Sequence, residues 1–280
     1  MEYVGANQVF AAAYISVIVW SGFSFGKIAH LTGCIGLFFA EVVCKDHIFA
    51  KTVHVEGDDG VDQMYKDRSG KMLDDMVDRL TTNYTYFLRE QEHFDILRQF
   101  IFPELFEKRQ FRNITIWCAG CSTGEECYTL AMALEEYREK ANLNFHMKIL
   151  ATDISEEVLE QARRAVYSAR EWKRIPERWR GKYCQTVDSK NFQIHEKIKY
   201  NIRFQKQNLM APCMKQEQFD LILCRNVMIY FDKAAKERLI KQLEKSLNPG
   251  GYLLIGHAEL LSRDETELES VYPAVYKKTV

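Results

Sequence analysis

Gly120, Gly124, Glu125 and Glu126 stand together in ITIWCAGCSTGEECYTLAMA, residues 114–133. The apolar run before them reads as a strand and the amphipathic run after them as a helix. Two glycines in such a turn let backbone approach a ligand where a Cβ would collide, at the carboxyl end of a strand in a parallel sheet. A nucleotide-like ligand is therefore the first expectation. Phosphate fits poorly, because the two carboxylates occupy the helix start where bare N–H groups would bind anionic oxygens. A ligand with hydroxyls, an amine or a positive charge suits a carboxylate there, and S-adenosylmethionine carries all three. A plain turn explains the same residues, with Glu125 complementing the helix dipole for under about 1 kcal/mol.

Other chemistry-bearing residues lie at similar boundaries. HMKILATDIS is a buried strand ending in Asp153, and Ser155, Glu156 and Glu157 open the next helix as cap and dipole partners. An acidic residue at the tip of a second strand is where nucleotide folds hold ribose hydroxyls, although Asp153 also suits the helix cap. IRFQKQNLM ends a strand near Asn208 and Leu209. FDLILCRNVMIYFD supplies a further strand followed by Arg225, Asn226 and Tyr230, and polar residues so placed also serve to satisfy loop backbone. Upstream, LTTNYTYFLREQEHF (80–94) sets Asn83, Thr85 and Arg89 among aromatics. Read alone, Thr82 or Asn83 is a helix cap and Arg89 a solvated side chain.

In order and spacing, TTNYTYFLRE, GCSTGEE, ATDIS, QNL, CRNVMIYFD and PGGYLLIGHAE resemble the CheR family of chemotaxis receptor methyltransferases, from about Lys71 to the end. The resemblance implies an S-adenosylmethionine-dependent protein-glutamate O-methyltransferase, leaving S-adenosylhomocysteine as product. Its partners would be the cytoplasmic, glutamate-bearing helices of methyl-accepting chemotaxis proteins. It implies cofactor contacts at Asn83, Thr85, Arg89, Glu125, Asp153, Asn208, Leu209, Arg225 and Asn226. Arg89 and Tyr230 would flank the transferred methyl as the catalytic pair. His257 and Glu259 resemble an acid–base pair, but the reaction needs none: an ordinary glutamate, titrating near ~4.3, is already ionised at neutral pH. The competing expectation is a receptor-binding module that keeps the cofactor-binding fold without transferring methyl groups.

The elements that must position these residues alternate helix with strand from Ile114 onward. That predicts an α/β fold: a Rossmann-like, doubly wound class I methyltransferase sheet with its ligand at the strand ends. The expected division is an N-terminal helical or irregular domain over 1–90 and the methyltransferase domain over 91–280. NFQIHEKIKYNIRF alternates apolar and polar residues, so a small antiparallel β insertion is expected at about 185–205. Some CheR relatives grip a receptor's carboxyl-terminal tail at this place. The short insertion here lacks the glycines of such a docking loop, so tail tethering is not expected. VYPAVYKKT is read as a final antiparallel edge strand, where Pro273 is tolerable.

Before residue 71 the pattern departs from the family. Tyr3 to Gly26 is uncharged and apolar, which suits a buried or irregular segment and also permits membrane association. A second apolar run covers Leu31 to Ala40, Lys51 to Gly70 reads as a loop, and Met72, Leu73, Met76, Val77 and Leu80 share a helical face. With 280 residues, 47% apolar, the chain is long enough for a large core. A net charge of −1 shows no basic field for nucleic acid. Eight irregularly spaced cysteines read as core residues of a reducing, cytoplasmic compartment. Cys118 and Cys121 form a C-x-x-C without further ligands, so no metal is expected.

Overall fold

The computed structural model describes residues 37–44, 47–54, 67, 69, 71–72, 78, 83–108, 113–211 and 218–279. The chain divides into two compact units, one of Asn83–Ile229 with Lys233–Val280, the other of Met1–Thr82 with Tyr230–Asp232. In the latter, β1 (Leu37–Cys44) and β2 (His47–His54) pair antiparallel in a regular register, Leu37 opposite His54 and Cys44 opposite His47. Lys51–His54 is thus strand, where a loop is expected from the sequence. The apolar run Tyr3 to Gly26 lies outside the described residues. Of the expected helical face, Met72 is helical, and Leu73, Met76, Val77 and Leu80 lie outside the described residues. Among the described residues no helix is long and apolar enough to cross a membrane.

The larger unit is built on a seven-stranded sheet. Its strands are β3 (Asn113–Ala119), β4 (His146–Asp153), β8 (Ile202–Lys206), β9 (Phe219–Cys224), β10 (Leu247–Ile255), β11 (Glu269–Tyr272) and β12 (Val275–Lys277), in the order β11-β12-β10-β9-β3-β4-β8. All neighbours from β10 to β8 run parallel, and β12 runs antiparallel to both β10 and β11. Strand order reverses between β3 and β9, and the crevice beyond such a switch point is where open α/β sheets bind ligands. The central strands hold this position by composition: β9 is buried throughout, and β3 from Ile116 to Ala119, as strands covered on both faces must be.

Two strand expectations change. The alternating stretch Asn191–Phe204 divides: β7 (Asn191–Ile194) joins β5 (Val166–Ser168) and β6 (Cys184–Thr186) in a separate antiparallel sheet, order β5-β7-β6, while Ile202–Lys206 is the edge strand β8 of the main sheet. A half-buried edge strand alternates just as an antiparallel one does, so periodicity does not distinguish them. The segment VYPAVYKKT is two strands, not one. Pro273 sits in the turn between β11 and β12, and β12 is interior, with β11 at the edge.

A polar clasp secures the amino ends of the strands. Buried Asp220 on β9 accepts from the Thr115 N–H (2.9 Å) and hydroxyl (3.0 Å) on β3 through Oδ2, and from Asn248 Nδ2 on β10 (2.8 Å) through Oδ1. Asp220→Ala leaves the Thr115 N–H and Asn248 Nδ2 unmatched, while the Thr115 hydroxyl keeps the Gln218 carbonyl at 3.2 Å. In urea titration it is expected to lower the unfolding free energy by about 2–3 kcal/mol, as orphaned buried donors do, without weakening ligand binding at the opposite strand ends.

Candidate active site

The turn after β3 is shaped by its glycines. Gly120 (φ +83°) and Gly124 (φ +93°) are left-handed, and a Cβ on Gly120 would lie 2.4 Å from Val227 Cγ2 in the loop after β9. The Gly120 and Cys121 N–H groups both donate to the Thr152 carbonyl on β4, at 2.8 and 2.9 Å. The turn is therefore bound to the neighbouring strand before the helix Glu125–Lys140 begins. Cys121 and Cys127 are free and buried, and burial pushes both thiols up, as suits packed thiols rather than a nucleophile.

Two buried carboxylates bracket this turn. Asp153, at the tip of β4, accepts from the Ser122 N–H through Oδ2 (2.8 Å) and from the Ser155 N–H through Oδ1 (3.1 Å). Ser155 itself caps the helix Glu156–Arg164, its hydroxyl accepting from Val158 N–H at 3.3 Å. Glu125 accepts from the Thr123 hydroxyl at 2.6 Å, and burial pushes its carboxyl up. A carboxylate so desolvated favours a cationic neighbour.

The segment Asn83–Glu90 is extended and turned, not helical. Leu88 (φ +59°) and Glu90 (φ +53°) are left-handed, and the helix begins only at Gln91. Asn83 caps no helix: its carbonyl accepts from Ser122 Oγ at 3.0 Å, tying the segment to the glycine turn. Phe87 N–H donates to Glu171 Oε2 (3.2 Å) and Leu88 N–H to Thr129 Oγ1 (3.3 Å). Arg89 bends back to donate from Nη1 to the Tyr84 carbonyl at 2.7 Å. Thr85 and Glu125 share the lining of a cavity of about 450 Å³ with Tyr84, Tyr86, Tyr167 and Arg170, a volume typical of small-molecule sites.

Arg225 is turned inward. Its Nη1 donates to Glu126 Oε2 (2.8 Å), and its Nη2 to Glu90 Oε2 (3.0 Å) and the Arg89 carbonyl (2.5 Å). Burial opposes ionisation of Glu90, yet Arg225 and Asn226 hold its carboxyl below the usual range, whereas for Glu126 burial wins and its carboxyl is pushed up. Asn226, left-handed at φ +58°, donates from Nδ2 to Glu90 Oε1 at 3.2 Å. After β8, Asn208 Oδ1 accepts from Met210 N–H (2.9 Å) and Leu209 is buried. Tyr230 ends the 3₁₀ turn Met228–Tyr230 and falls in the other compact unit. The larger unit thus brings together Asn83, Thr85, Arg89, Glu125, Asp153, Arg225 and Asn226 through direct contacts, a shared cavity and the adjoining ends of β3, β4 and β9.

Sequence reasoning picks out Glu126 beside Glu125 but not its pairing with Arg225, and it misses Glu90 and Glu171. The only signal is indirect: an arginine inside an apolar motif needs acidic partners, and nothing in the spacing names them.

A mostly parallel Rossmann-like sheet with Asp153 at a strand tip and Glu125 at the start of the helix after the glycine turn is that of a class I S-adenosylmethionine-dependent methyltransferase. The donor set fits that cofactor, offering carboxylates and an amide to hydroxyls and an amine, and a glycine turn with no Cβ to obstruct it. Residues 83–276 match the family described as CheR methyltransferase, SAM binding domain, and the chain belongs to that family. It is 44% identical over 210 residues to the chemotaxis protein methyltransferase of Borreliella burgdorferi, covering 74% of each chain. Over 207 residues it is 37% identical to the chemotaxis protein methyltransferase of Vibrio parahaemolyticus, covering 72% of this chain and 74% of that one.

His93 is buried beside this network, its ring 4.5 Å from that of His257 and its Nδ1 3.3 Å from Glu90 Oε2. Burial, with Arg225 and His257, pushes its pKa down to about 4 against the pull of Glu90. The folded state therefore prefers neutral imidazole, and the unfolded chain takes up the proton first as pH falls below about 6.5. The stability that His93 contributes is present above that pH and lost between about 6.5 and about 4. Unfolding titrations of wild type against His93→Gln should show an extra wild-type loss of up to ~1.4 kcal/mol per pH unit across this window, and parallel curves above pH 7.

Proposed function

We propose that this chain transfers the methyl group of S-adenosylmethionine to glutamate side chains on the cytoplasmic helices of methyl-accepting chemotaxis proteins. What supports this reading above all is that one family match, from Asn83 to Tyr276, spans every residue assigned to the site, among relatives bearing the name chemotaxis protein methyltransferase. In this reading Asp153 accepts from the ribose hydroxyls and Glu125 faces the amine, the partner its desolvated carboxyl favours. Asn83, Thr85, Asn208, Leu209 and Asn226 complete the cofactor's surroundings. Arg225, which the resemblance also places among the contacts, acts mainly by holding the Arg89 segment against the end of β9.

When bound, the cofactor supplies a methyl group activated by its sulfonium. The residues of the chain have to desolvate and aim an already ionised carboxylate, and positioning of that kind lowers a barrier by several kcal/mol. Arg89 presents a guanidinium fork for one carboxylate oxygen, and Tyr230 donates to a neighbouring oxygen or fixes the sulfonium surroundings. Too tight a grip by Arg89 would lower nucleophilicity, so its role is orientation.

Calorimetry with S-adenosylhomocysteine and transfer of labelled methyl to a receptor cytoplasmic fragment test these assignments. Asp153→Ala should weaken S-adenosylhomocysteine binding by at least ~10-fold, about 1.4 kcal/mol. Arg89→Ala should cut turnover by ~100-fold, the scale of a misplaced reactant, with a much smaller loss of binding. Equal losses of both would remove Arg89 from the orienting role. Cofactor binding by wild type with no methyl transfer would favour a receptor-binding module instead.

A further inference from the structure

Glu259 is buried, and the methyl transfer itself has no use for it. Its carboxylate nevertheless collects three backbone donors from two loops: Oε2 accepts from Asn226 N–H (2.7 Å) and Gly256 N–H (2.8 Å), and Oε1 from Ile229 N–H (3.1 Å). Its own N–H returns a bond to the Gly256 carbonyl at 2.9 Å. The loops leave the carboxyl ends of β9 and β10, beside the strand-order switch. Charge-assisted bonds of this kind are roughly twice as strong as neutral ones, and three of them define a loop's backbone closely.

Two features show that this clasp is fitted around Asn226. Asn226 is held left-handed, at φ +58°. A Cβ on Gly256 would stand 2.6 Å from Asn226 Nδ2, 2.7 Å from Glu259 Oε2 and 3.0 Å from Asn226 N, so only glycine lets amide and carboxylate close together. Glu90 fixes the side chain of the same residue, accepting from Asn226 Nδ2. Backbone and side chain of one residue are thus held by two separate carboxylates.

We propose that Glu259 is a positioning residue for methyl transfer, setting the backbone after β9 so that the Asn226 amide meets the cofactor; this rests on the reading of Asn226 as a cofactor contact. A glutamine cannot reproduce the clasp. Its single oxygen can serve one corner, and its NH₂ then opposes a backbone N–H at the other.

The test compares purified full-length Glu259→Gln, Gly256→Ala, Asn226→Ala and Glu104→Gln with wild type. The last is a control, since Glu104 accepts from the Tyr252 hydroxyl and pairs with Lys277 away from this loop. Calorimetric Kd for S-adenosylhomocysteine, and kcat and KM for S-adenosylmethionine, are measured beside thermal unfolding. Glu259→Gln and Gly256→Ala should each raise the Kd and KM by at least ~10-fold, as Asn226→Ala does, whereas Glu104→Gln should lower the melting temperature with Kd unchanged. If Glu259→Gln fails to fold, Gly256→Ala carries the same measurement. Wild-type Kd and KM in both variants, with Asn226→Ala impaired, would overturn the positioning role and leave the Asn226 contact standing. A wild-type Kd in Asn226→Ala would remove that contact, and the proposal with it.

Discussion

The buried guanidinium of Arg225 is the interaction on which the rest of the site depends. Taking a cation from water costs several kcal/mol, and the loss is recovered only if its surroundings supply charge and acceptors in good geometry. Here Glu126 comes from the first turn of the helix after β3, Glu90 and the Arg89 carbonyl from the segment before the helix that begins at Gln91, and Arg225 from the end of β9. Three stretches far apart in sequence are thereby obliged to meet at one point. The obligation is strong because the absence of a partner leaves a buried charge uncompensated, at a cost of about 3–5 kcal/mol.

The surplus of negative charge around Arg225 has consequences for its neighbours. Two carboxylates share one cation, so burial wins at Glu126 while Glu90 stays below its usual range. His93, beside both, is kept neutral by burial and by the nearby guanidinium. Asn226 is drawn into the same arrangement through its amide. The network thus ties the ends of the two strands flanking the switch point to the segment that carries Arg89.

Backbone conformation does comparable work. The left-handed positions at Leu88, Glu90, Ser122 and Asn226 cost energy in residues other than glycine, and they cluster around the candidate site. Each is over-determined by surrounding bonds. Ser122 gives its N–H to Asp153 and its hydroxyl to the Asn83 carbonyl. Rigid turns of this sort hold acceptors at set places, which is what positioning chemistry requires.

The alternation of buried strand and helix after Ile114 was legible in the residues, as were the glycine turn, Asp153 at its strand tip and Ser155 as a cap, although the helix Glu125–Lys140, expected to be amphipathic, is buried on almost every side as far as Glu136. These follow from local chemistry: periodicity, φ freedom and unpaired N–H groups are properties of short stretches. Six ordered motifs likewise identified the family and its cofactor. The partners of Arg225, the inward turn of its side chain, the three donors on Glu259 and the split of Asn191–Phe204 between two sheets were decided only by tertiary structure. A buried charge demands a partner but does not say from which part of the chain, and an alternating strand demands one covered face but does not say by which sheet. Those choices are made when distant segments compete for the same buried space.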